Sequence, residues 1–380
     1  MDGAPAKPAR NLDGVVAAQT RLSHVDGQAG QLFIAGYALE ELAGRVTFEE
    51  LAHLLWTGRL PSAAVLAESS REMARQRRLP DETLELVRRA AGVAPIDALR
   101  MACATFSLDL KSADDISPEA DLAAARSLTA RLPTALAAHI RAAKGREPIA
   151  PREDLPHAAN FLYMVHGREP DPVAARALDS YWVTVMDHGL NASTFTARVI
   201  ASTRSDMVSA ATGAIGALKG PLHGGAPGPV LDMLLEIRSA DRAESWLRNE
   251  LAAGRRIMGF GHRVYKVRDP RAEVLSRVAE TMGGARLENR QLYELAREVE
   301  SITLRVLEEQ KPGRHLRTNV EFFTALVLQA LGLEPQTFVA MFACGRVAGW
   351  CAHVIEQHGE DHLIRPQSEY TGPKGLRLER

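Results

Sequence analysis

Apolar residues recur at the three- and four-residue spacing of amphipathic helices along most of this 380-residue chain. Strand patterns are confined to residues 15–20 and 31–35, which flank Asp26-Gly27, a favourable hairpin turn. Strands and helices do not alternate, so a doubly wound sheet is excluded. We predict an all-α, mainly helical fold with a short N-terminal β-hairpin, its helices near 47–55, 61–78, 81–91, 119–145, 152–166, 171–187, 191–203, 207–218, 229–238, 241–253, 270–283, 287–310, 319–331 and 335–358.

Two breaks in the helical pattern suggest how the chain divides into domains. They lie at Lys219-Gly220-Pro221 and at Pro312-Gly313. Because 380 residues exceed the usual size of one domain, we predict two. A large helical domain would comprise 1–220 and the return segment 321–380, and a small domain would comprise 221–320. Candidate chemistry lies at both ends of this insertion, so we expect the site in the cleft between the domains.

Charge and cysteine content narrow the possible functions. The chain has 46 Lys and Arg residues against 47 Asp and Glu, a net charge of −1, so no nucleic-acid surface is predicted. Cys103, Cys344 and Cys351 form neither a disulfide framework nor a CxxC metal pattern. Residues 1–10 lack the apolar core of a signal peptide. These features predict a cytoplasmic protein without a bound metal.

Residues 338–355 are the stretch that could pass for a membrane span. Their length is only just sufficient to cross a bilayer, and Arg346 lies near the centre. A charge at that depth is costly in lipid, whereas a buried helix can carry a functional arginine. We therefore predict a buried helix and no membrane association.

Three histidines occur in glycine-rich or polar strings within about 75 residues: 187–194, 220–225 and 259–263. Histidine moves protons at neutral pH and donates hydrogen bonds to carbonyl oxygens. Neighbouring glycines let a ligand reach both the imidazole and the backbone. Together the three strings predict one large site assembled from several loops.

The first two histidines each have two possible interpretations. Asp187 and Asn191 could orient the ring of His188, or the string could be a helix N-cap beside a surface histidine. His223 precedes a helix expected to begin at Pro229, whose N-terminus would keep the imidazole neutral and suited to donate to a forming enolate. Alternatively, that turn simply needs its glycines.

The third string belongs to a loop, 258–266, that could contact a nucleotide. Its G-x-G pair lacks the third glycine and the preceding strand of a dinucleotide fingerprint, so that interpretation fails. With Arg263 and Lys266 alongside, the loop could still hold a phosphate or adenine through backbone groups. Downstream, Asp269-Pro270-Arg271 predicts a helix that starts at Pro270.

Two further charged residues are ambiguous from their local sequence. Arg346 lies in an apolar helix, where it could form a structural salt bridge or hold a ligand carboxylate. Glu321 precedes a run of apolar residues. Thr318 and Glu321 match a capping box, the interpretation that the local sequence favours. A carboxylate at the edge of an apolar helix would alternatively be desolvated and more basic.

Taken together, the strings around His188, His223, His262 and Arg346 resemble those of the citrate synthase family, in order and in spacing. The resemblance extends from the hairpin at 25–27 to Arg365-Pro366, which is most of the chain. It implies an almost entirely α-helical fold, with a small domain that closes over the cleft of a large one, and an obligate homodimer. It also implies an acyltransferase of the citrate (Si)-synthase type.

The resemblance assigns a role to each candidate residue. The catalytic residues would be His223 at the acetyl-CoA thioester oxygen, His262 at the keto group of oxaloacetate, and Glu321 as the base. Oxaloacetate would be bound by His188, Arg271, Arg346 and, across the dimer interface, Arg365 of the partner subunit. The residues that recognise CoA would be Met258, Gly259, Gly261, Arg263 and Lys266. No cofactor is implied, since the CoA thioester is a substrate.

Two departures from the family pattern bear on activity. Glu321 stands where the family has Asp, so the base is longer by one methylene, and a misplacement of about 1 Å can cost roughly a hundredfold in rate. The loop after His223 continues Gly225-Ala226-Pro227-Gly228-Pro229, where many relatives have Asn-Glu-Ala. We expect a citrate synthase; the alternatives are a 2-methylcitrate synthase that uses propionyl-CoA and a catalytically weak sensor of oxaloacetate or acyl-CoA.

Overall fold

The computed structural model describes residues 12, 14–110, 115–223, 227–284 and 287–377. Helices make up 62% of the structure, which confirms the mainly helical prediction. The helices are α1 Leu39–Leu42, α2 Phe48–Thr57, α3 Ala63–Arg75, α4 Asp81–Arg89, α5 Pro95–Thr105, α6 Pro118–Ala142, α7 His157–His166, α8 Pro172–Val185, α9 Ala192–Ala201, α10 Met207–Leu218, α11 Pro227–Ile237, α12 Ala240–Ala252, α13 Pro270–Gly283, α14 Leu287–Gln310, α15 Val320–Ala330 and α16 Phe338–Glu360.

The N-terminal hairpin is present, but its first strand lies later than predicted. Strand β1, Ser23–Asp26, pairs antiparallel with β2, Gln31–Ile34, which also pairs with the short β3, Tyr37–Ala38. Residues 15–20 form no strand, so that prediction was wrong. The turn decides the register, because the Asp26 carboxylate accepts two turn N–H groups at 2.9 and 2.8 Å. In this register Leu32 is fully buried, whereas Val16 is 84% exposed.

Most predicted helices occur within a few residues of their expected bounds, and capping residues account for the ends. The capping box of Thr47 and Glu50 forms as predicted at the start of α2. The helix expected from 152 begins only at His157, because Pro156 occupies its N-cap position. Helix α5 was not predicted. It starts at Pro95, whose fixed φ suits the first turn of a helix.

Helix α16 runs through the middle of the fold. It is the one helix of the described residues that is long and apolar enough to cross a membrane, with a mean hydropathy of 1.5 over an 18-residue window. That window is 89% buried inside the protein, against α2, α6, α8, α9 and α10. This confirms the prediction of a buried helix. Cys344 and Cys351 lie on it as free, buried thiols, and Cys103 is also free and buried.

Backbone pairing joins the loop before α13 to the residues just before α15. The N–H of Gly261 donates to the Arg317 carbonyl at 2.7 Å, and the N–H of Asn319 donates to the Gly259 carbonyl at 3.0 Å. The N–H of Asp269 also donates to the Thr318 carbonyl at 3.2 Å. Helices α13 and α15 consequently start side by side. The division into 1–220, 221–320 and 321–380 stays a prediction.

Candidate functional site

Five separate segments contribute charged and polar side chains to one cluster. They are the loop between α8 and α9, the turn before α11, the loop and start of α13, the start of α15, and the middle of α16. The rings of His188 and His262 meet edge to face, with centroids 5.6 Å apart. Electrostatic effects connect the other members, since Arg271 and Arg346 both shift the pKa values of His188, His223 and Glu321. The structure therefore brings the three histidine strings together in one cluster.

The ring of His262 is oriented by the backbone of its own loop. Its Nδ1 accepts the N–H groups of Val264 at 3.0 Å and Tyr265 at 3.1 Å. A neutral ring must then carry its proton on Nε2. Burial is the main cause that lowers the pKa of His262 to about 4, and the Arg271 cation adds to it. His262 is thus a neutral donor, with Nε2 3.5 Å from Nη2 of Arg271.

His188 is buried rather than on the surface, and its partner differs from the prediction. Its Nε2 lies 3.1 Å from the Tyr265 hydroxyl. The expectation that Asp187 or Asn191 orients this ring was wrong. Asp187 instead binds the Ser23 hydroxyl and His353, and Asn191 is the N-cap of α9. Burial first, and then the nearby arginines, hold the pKa of His188 well below its usual range, so this ring is neutral too.

His223 is held by the first turn of α9. The backbone N–H of Ser193 donates to His223 Nε2 at 3.3 Å, and the Ser193 hydroxyl lies 2.8 Å from the same nitrogen. Acceptance at Nε2 favours the tautomer with the proton on Nδ1. Burial, followed by the Arg346 charge, lowers the pKa of His223 to about 4. Gly224 and Gly225 lie outside the described residues, and α11 begins at Pro227 rather than at the predicted Pro229.

The guanidinium of Arg271 is held in a fixed orientation at the start of α13, where the helix begins at Pro270 as predicted. Its Nε and Nη2 donate to the two oxygens of Asp269 at 3.0 and 2.8 Å. Both side chains are buried, with 4% and 0% exposed. This pairing leaves both N–H groups of Nη1 and the second N–H of Nη2 for a ligand oxygen.

Arg346 is buried without an ionic partner. Its Nε donates to the Val185 carbonyl, and its guanidinium lies over the Phe342 ring at 4.7 Å from the centroid. Among the described residues it forms no ion pair, so the predicted alternative of a structural salt bridge was wrong. Burial lowers the pKa of Arg346 to about 10, and the side chain remains charged at neutral pH. A buried cation without a carboxylate is costly unless a ligand supplies one.

Among the described residues of the cluster, Glu321 is the one carboxylate that has a buried oxygen without a partner. It stands at the second position of α15, where Asn319 is the N-cap. The predicted capping box is absent, since the Thr318 hydroxyl donates to Glu300 at 2.6 Å. The Oε2 atom of Glu321 is buried and forms no hydrogen bond. Desolvation, only partly offset by Arg271, raises the pKa of Glu321 to about 8. This is the environment of a general base, not of a helix cap.

The 258–266 loop lies beside this cluster with its cationic side chains in solvent. Gly259 and Gly261 have φ values of +82° and +90°, which side chains disfavour. Met258 is half-buried, and Arg263 and Lys266 are exposed. The loop is anchored to the hairpin, because the Lys266 N–H donates to the Gly27 carbonyl at 2.9 Å. Exposed cations beside a glycine loop fit an anionic ligand such as a phosphate.

Arg365 is not part of the cluster within its own chain. It lies beyond the end of α16 in an irregular segment, and its side chain is exposed. Its predicted contribution to a neighbouring subunit stays a prediction.

Three residues of the site were missed by the sequence reasoning: Tyr265, Asp269 and Ser193. Tyr265 lies inside the predicted loop, but its contact with His188 spans 77 residues. Asp269 was recognised only as preceding a helix, although an acidic residue two positions before a buried arginine suggests an ion pair. Ser193 resembles any first-turn serine of a helix, and no local signal distinguishes it.

Comparison with known proteins places these observations in a family. A family model described as "Citrate synthase, C-terminal domain" matches residues 11–367. A citrate synthase of Haloferax volcanii is 42% identical over 373 residues, which cover 97% of this chain and 96% of the relative.

Solved structures give the same result for the fold. A citrate synthase from Pyrobaculum aerophilum superposes with a TM-score of 0.88 at 36% identity, covering 97% of this chain and 93% of that one. The Thermoplasma acidophilum citrate synthase in ternary complex with carboxymethyl coenzyme A and oxaloacetate is 28% identical. Its TM-score is 0.89, and the match covers 97% and 98% of the two chains.

Proposed function

The chain belongs to the citrate synthase family, and we propose that its cluster condenses acetyl-CoA with oxaloacetate and hydrolyses the thioester to citrate and CoA. The enzyme is an acyltransferase that converts the acyl group to an alkyl group on transfer. The observation that carries the proposal is Glu321, a buried carboxylate with an unpartnered oxygen in a cluster with two buried arginines. Such a carboxylate is suited to remove a proton from a weak carbon acid.

The first step is enolisation of acetyl-CoA. Glu321 removes a proton from the methyl group, and His223 donates a hydrogen bond from Nδ1 to the thioester oxygen where negative charge develops. The depressed pKa of His223 supports this role, since a neutral ring donates without transferring a full charge. Glu321 is the second residue of α15, and its side chain is one methylene longer than that of the family's Asp.

The second step is attack of the enolate on the keto carbon of oxaloacetate. His262 Nε2–H and an N–H of Arg271 approach each other to 3.5 Å, so an oxygen between them would accept two hydrogen bonds. Arg346, which has no carboxylate of its own, would hold a carboxylate of the dianion. His188 supplies a further neutral donor or acceptor. Water then attacks the thioester carbonyl, the C–S bond breaks, and CoA leaves.

The remaining roles complete the proposal. Met258, Gly259, Gly261, Arg263 and Lys266 would bind CoA, with the exposed cations at its phosphates. Arg365 would reach the oxaloacetate of the partner subunit in a homodimer. The reaction needs no metal or resident cofactor, because the histidines and arginines stabilise each developing charge. We place the enzyme in the cytoplasm and in the tricarboxylic acid cycle.

A thiol-release assay tests this function directly. We expect CoA release from acetyl-CoA to require oxaloacetate, and mass spectrometry to identify citrate as the product. Propionyl-CoA serves as the comparison substrate and should react more slowly. Faster release from propionyl-CoA would indicate a 2-methylcitrate synthase. Oxaloacetate binding without turnover of either thioester would indicate a sensor and overturn the proposal.

A further inference from the structure

The buried indole of Trp350 contacts Ser193, the residue that holds the ring of His223. Trp350 is on α16, one turn after Arg346, and its Nε1–H donates to the Ser193 hydroxyl oxygen at 3.1 Å. Both residues are fully buried. Gly349 permits α16 to pass close to the residue after α8, since a Cβ at position 349 would lie 2.0 Å from the Met186 carbonyl oxygen. Trp350 is therefore joined to His223 through Ser193.

The Ser193 hydroxyl has one proton and two possible acceptors for it. Its oxygen lies 2.8 Å from Asn191 Oδ1 and 2.8 Å from His223 Nε2. The amide of Asn191 is fixed, because its Nδ2 donates to the Gly189 carbonyl and its Oδ1 accepts the N–H of Thr194. Oδ1 is thus an acceptor only. The hydroxyl can satisfy Asn191 or His223, but not both.

The choice between the two acceptors acts on the tautomer of His223 together with the Ser193 N–H, which donates to Nε2 at 3.3 Å. If the hydroxyl donates to Asn191, a ring proton on Nε2 can donate to Ser193 Oγ, but the Ser193 N–H, 3.3 Å from Nε2, then loses its acceptor. If the hydroxyl donates to Nε2, the ring proton is on Nδ1. In this second arrangement Trp350 is the one donor to the Ser193 oxygen among the described residues. Without the indole N–H, that oxygen would be buried with no donor, at a free-energy cost.

We propose that Trp350 is a positioning residue that acts through Ser193 to keep the proton of His223 on Nδ1. When the Ser193 hydroxyl donates to His223 Nε2, the indole N–H of Trp350 donates a hydrogen bond to the serine oxygen. A hydroxyl that accepts a hydrogen bond is also a stronger donor itself, which reinforces the bond to Nε2. That this tautomer is the catalytic one rests on the proposed function; the control of the tautomer by Trp350 does not.

The test replaces the indole and follows both the tautomer and the kinetics. Trp350→Phe removes the N–H, and β-(3-benzothienyl)alanine at position 350 removes it while keeping the ring shape, should the Phe variant not fold. Trp182→Phe is the matched control. Trp182 is also fully buried and donates to a carbonyl, that of Met341, at 3.1 Å, away from His223.

Nitrogen chemical shifts of 15N-labelled histidine report which ring nitrogen is protonated, with His223→Ala used for assignment. We expect loss of the 350 N–H to shift His223 toward the Nε2–H tautomer. We also expect kcat to fall on the order of tenfold, about one hydrogen bond, with KM for oxaloacetate unchanged. In a Ser193→Ala background, Trp350→Phe should have no further effect on kcat.

Three results would overturn the proposal. They are an unchanged His223 tautomer in the isosteric variant, a kcat equal to that of Trp182→Phe, and a further tenfold loss in the Ser193→Ala background. The tautomer measurement needs no turnover. A chain that is inactive with acetyl-CoA would therefore refute the proposed function without deciding the role of Trp350.

Discussion

Asp269 holds the guanidinium of Arg271 by two hydrogen bonds, Nε to Oδ1 at 3.0 Å and Nη2 to Oδ2 at 2.8 Å. The same Oδ2 accepts the N–H of Val320, the residue before Glu321, at 3.2 Å. One buried carboxylate thus fixes both a proposed substrate-binding arginine and the start of the helix that carries the proposed base. Asp269 orients Arg271 and the start of α15, and it contacts no substrate in the proposed mechanism.

Asp269→Asn should impair both functions of this carboxylate. Removal of one partner from a buried ion pair costs about 3–5 kcal/mol of stability, and a displaced Arg271 should raise KM for oxaloacetate at least tenfold. The matched control is Asp154→Asn, which alters an exposed carboxylate that Arg152 binds through Nε and Nη2. It should cost less than about 1 kcal/mol. Equal effects in melting and kinetic measurements would contradict the role of Asp269.

Arg346 should determine whether oxaloacetate stabilises the protein. At a concentration one hundred times Kd, a ligand adds about 2.7 kcal/mol to the free energy of unfolding, so oxaloacetate should raise the Tm of the parent. Arg346→Met should abolish this shift. Arg77→Met, which removes a buried arginine that binds backbone carbonyls, should lower Tm but keep the shift. A full oxaloacetate shift in the Arg346 variant would exclude it from substrate binding.

The pKa of Glu321 predicts the pH dependence of kcat/KM for acetyl-CoA. A base acts when deprotonated, and burial raises the pKa of Glu321 from 4.5 to about 8. Activity should therefore be lost as the pH falls through about 8, tenfold per unit at lower pH. His223 and His262, with pKa values of about 4, remain neutral over this range. A kcat/KM that is flat from about pH 6 to 9 would contradict the assignment.

A shared site across the dimer can be tested by complementation. Arg365→Ala and His262→Ala subunits should each be nearly inactive alone. In a mixed dimer, one of the two sites combines an intact His262 with Arg365 of the partner subunit. Random exchange of equal amounts should therefore restore about a quarter of parental activity. No recovery, with exchange verified by mass spectrometry, would show that Arg365 acts within its own chain or not at all.

The sequence predicted the local features of the fold but not its long-range contacts. Capping and proline rules predicted the beginning of α2 after Thr47 and of α13 at Pro270, since those preferences act within one turn. Thr318 contradicted its capping pattern because Glu300, on another helix, offers its hydroxyl a buried acceptor.

The same distinction holds for the site. The histidine strings predicted where the chemistry lies, whereas the partners of those histidines were not predictable from neighbours in sequence. His188 binds Tyr265, and His223 binds Ser193, across 77 and 30 residues. Such pairs depend on how helices pack, and no spacing rule encodes that. Arg346 differs from the histidines, because what the sequence did not show is that no carboxylate among the described residues pairs with it.

The central claim is that Glu321 is the base of the condensation, and Glu321→Gln tests it most directly. Glutamine keeps the shape of the side chain but cannot accept the methyl proton. The matched control is Glu49→Gln, because Glu49 is also a buried glutamate at the second position of a helix. Folding is checked by melting. A raised carboxyl pKa means that the charged form destabilises the parent as the pH rises from 4.5 through about 8, so the glutamine variant should melt no lower at pH 8.

The deciding measurement is thiol release from acetyl-CoA in the presence of oxaloacetate at pH 8, for the parent and both variants. We expect kcat to fall about 10²- to 10⁴-fold in Glu321→Gln, the usual contribution of a positioned base, and to stay within about twofold in Glu49→Gln. Turnover of a folded Glu321→Gln enzyme at the parental rate would contradict the account.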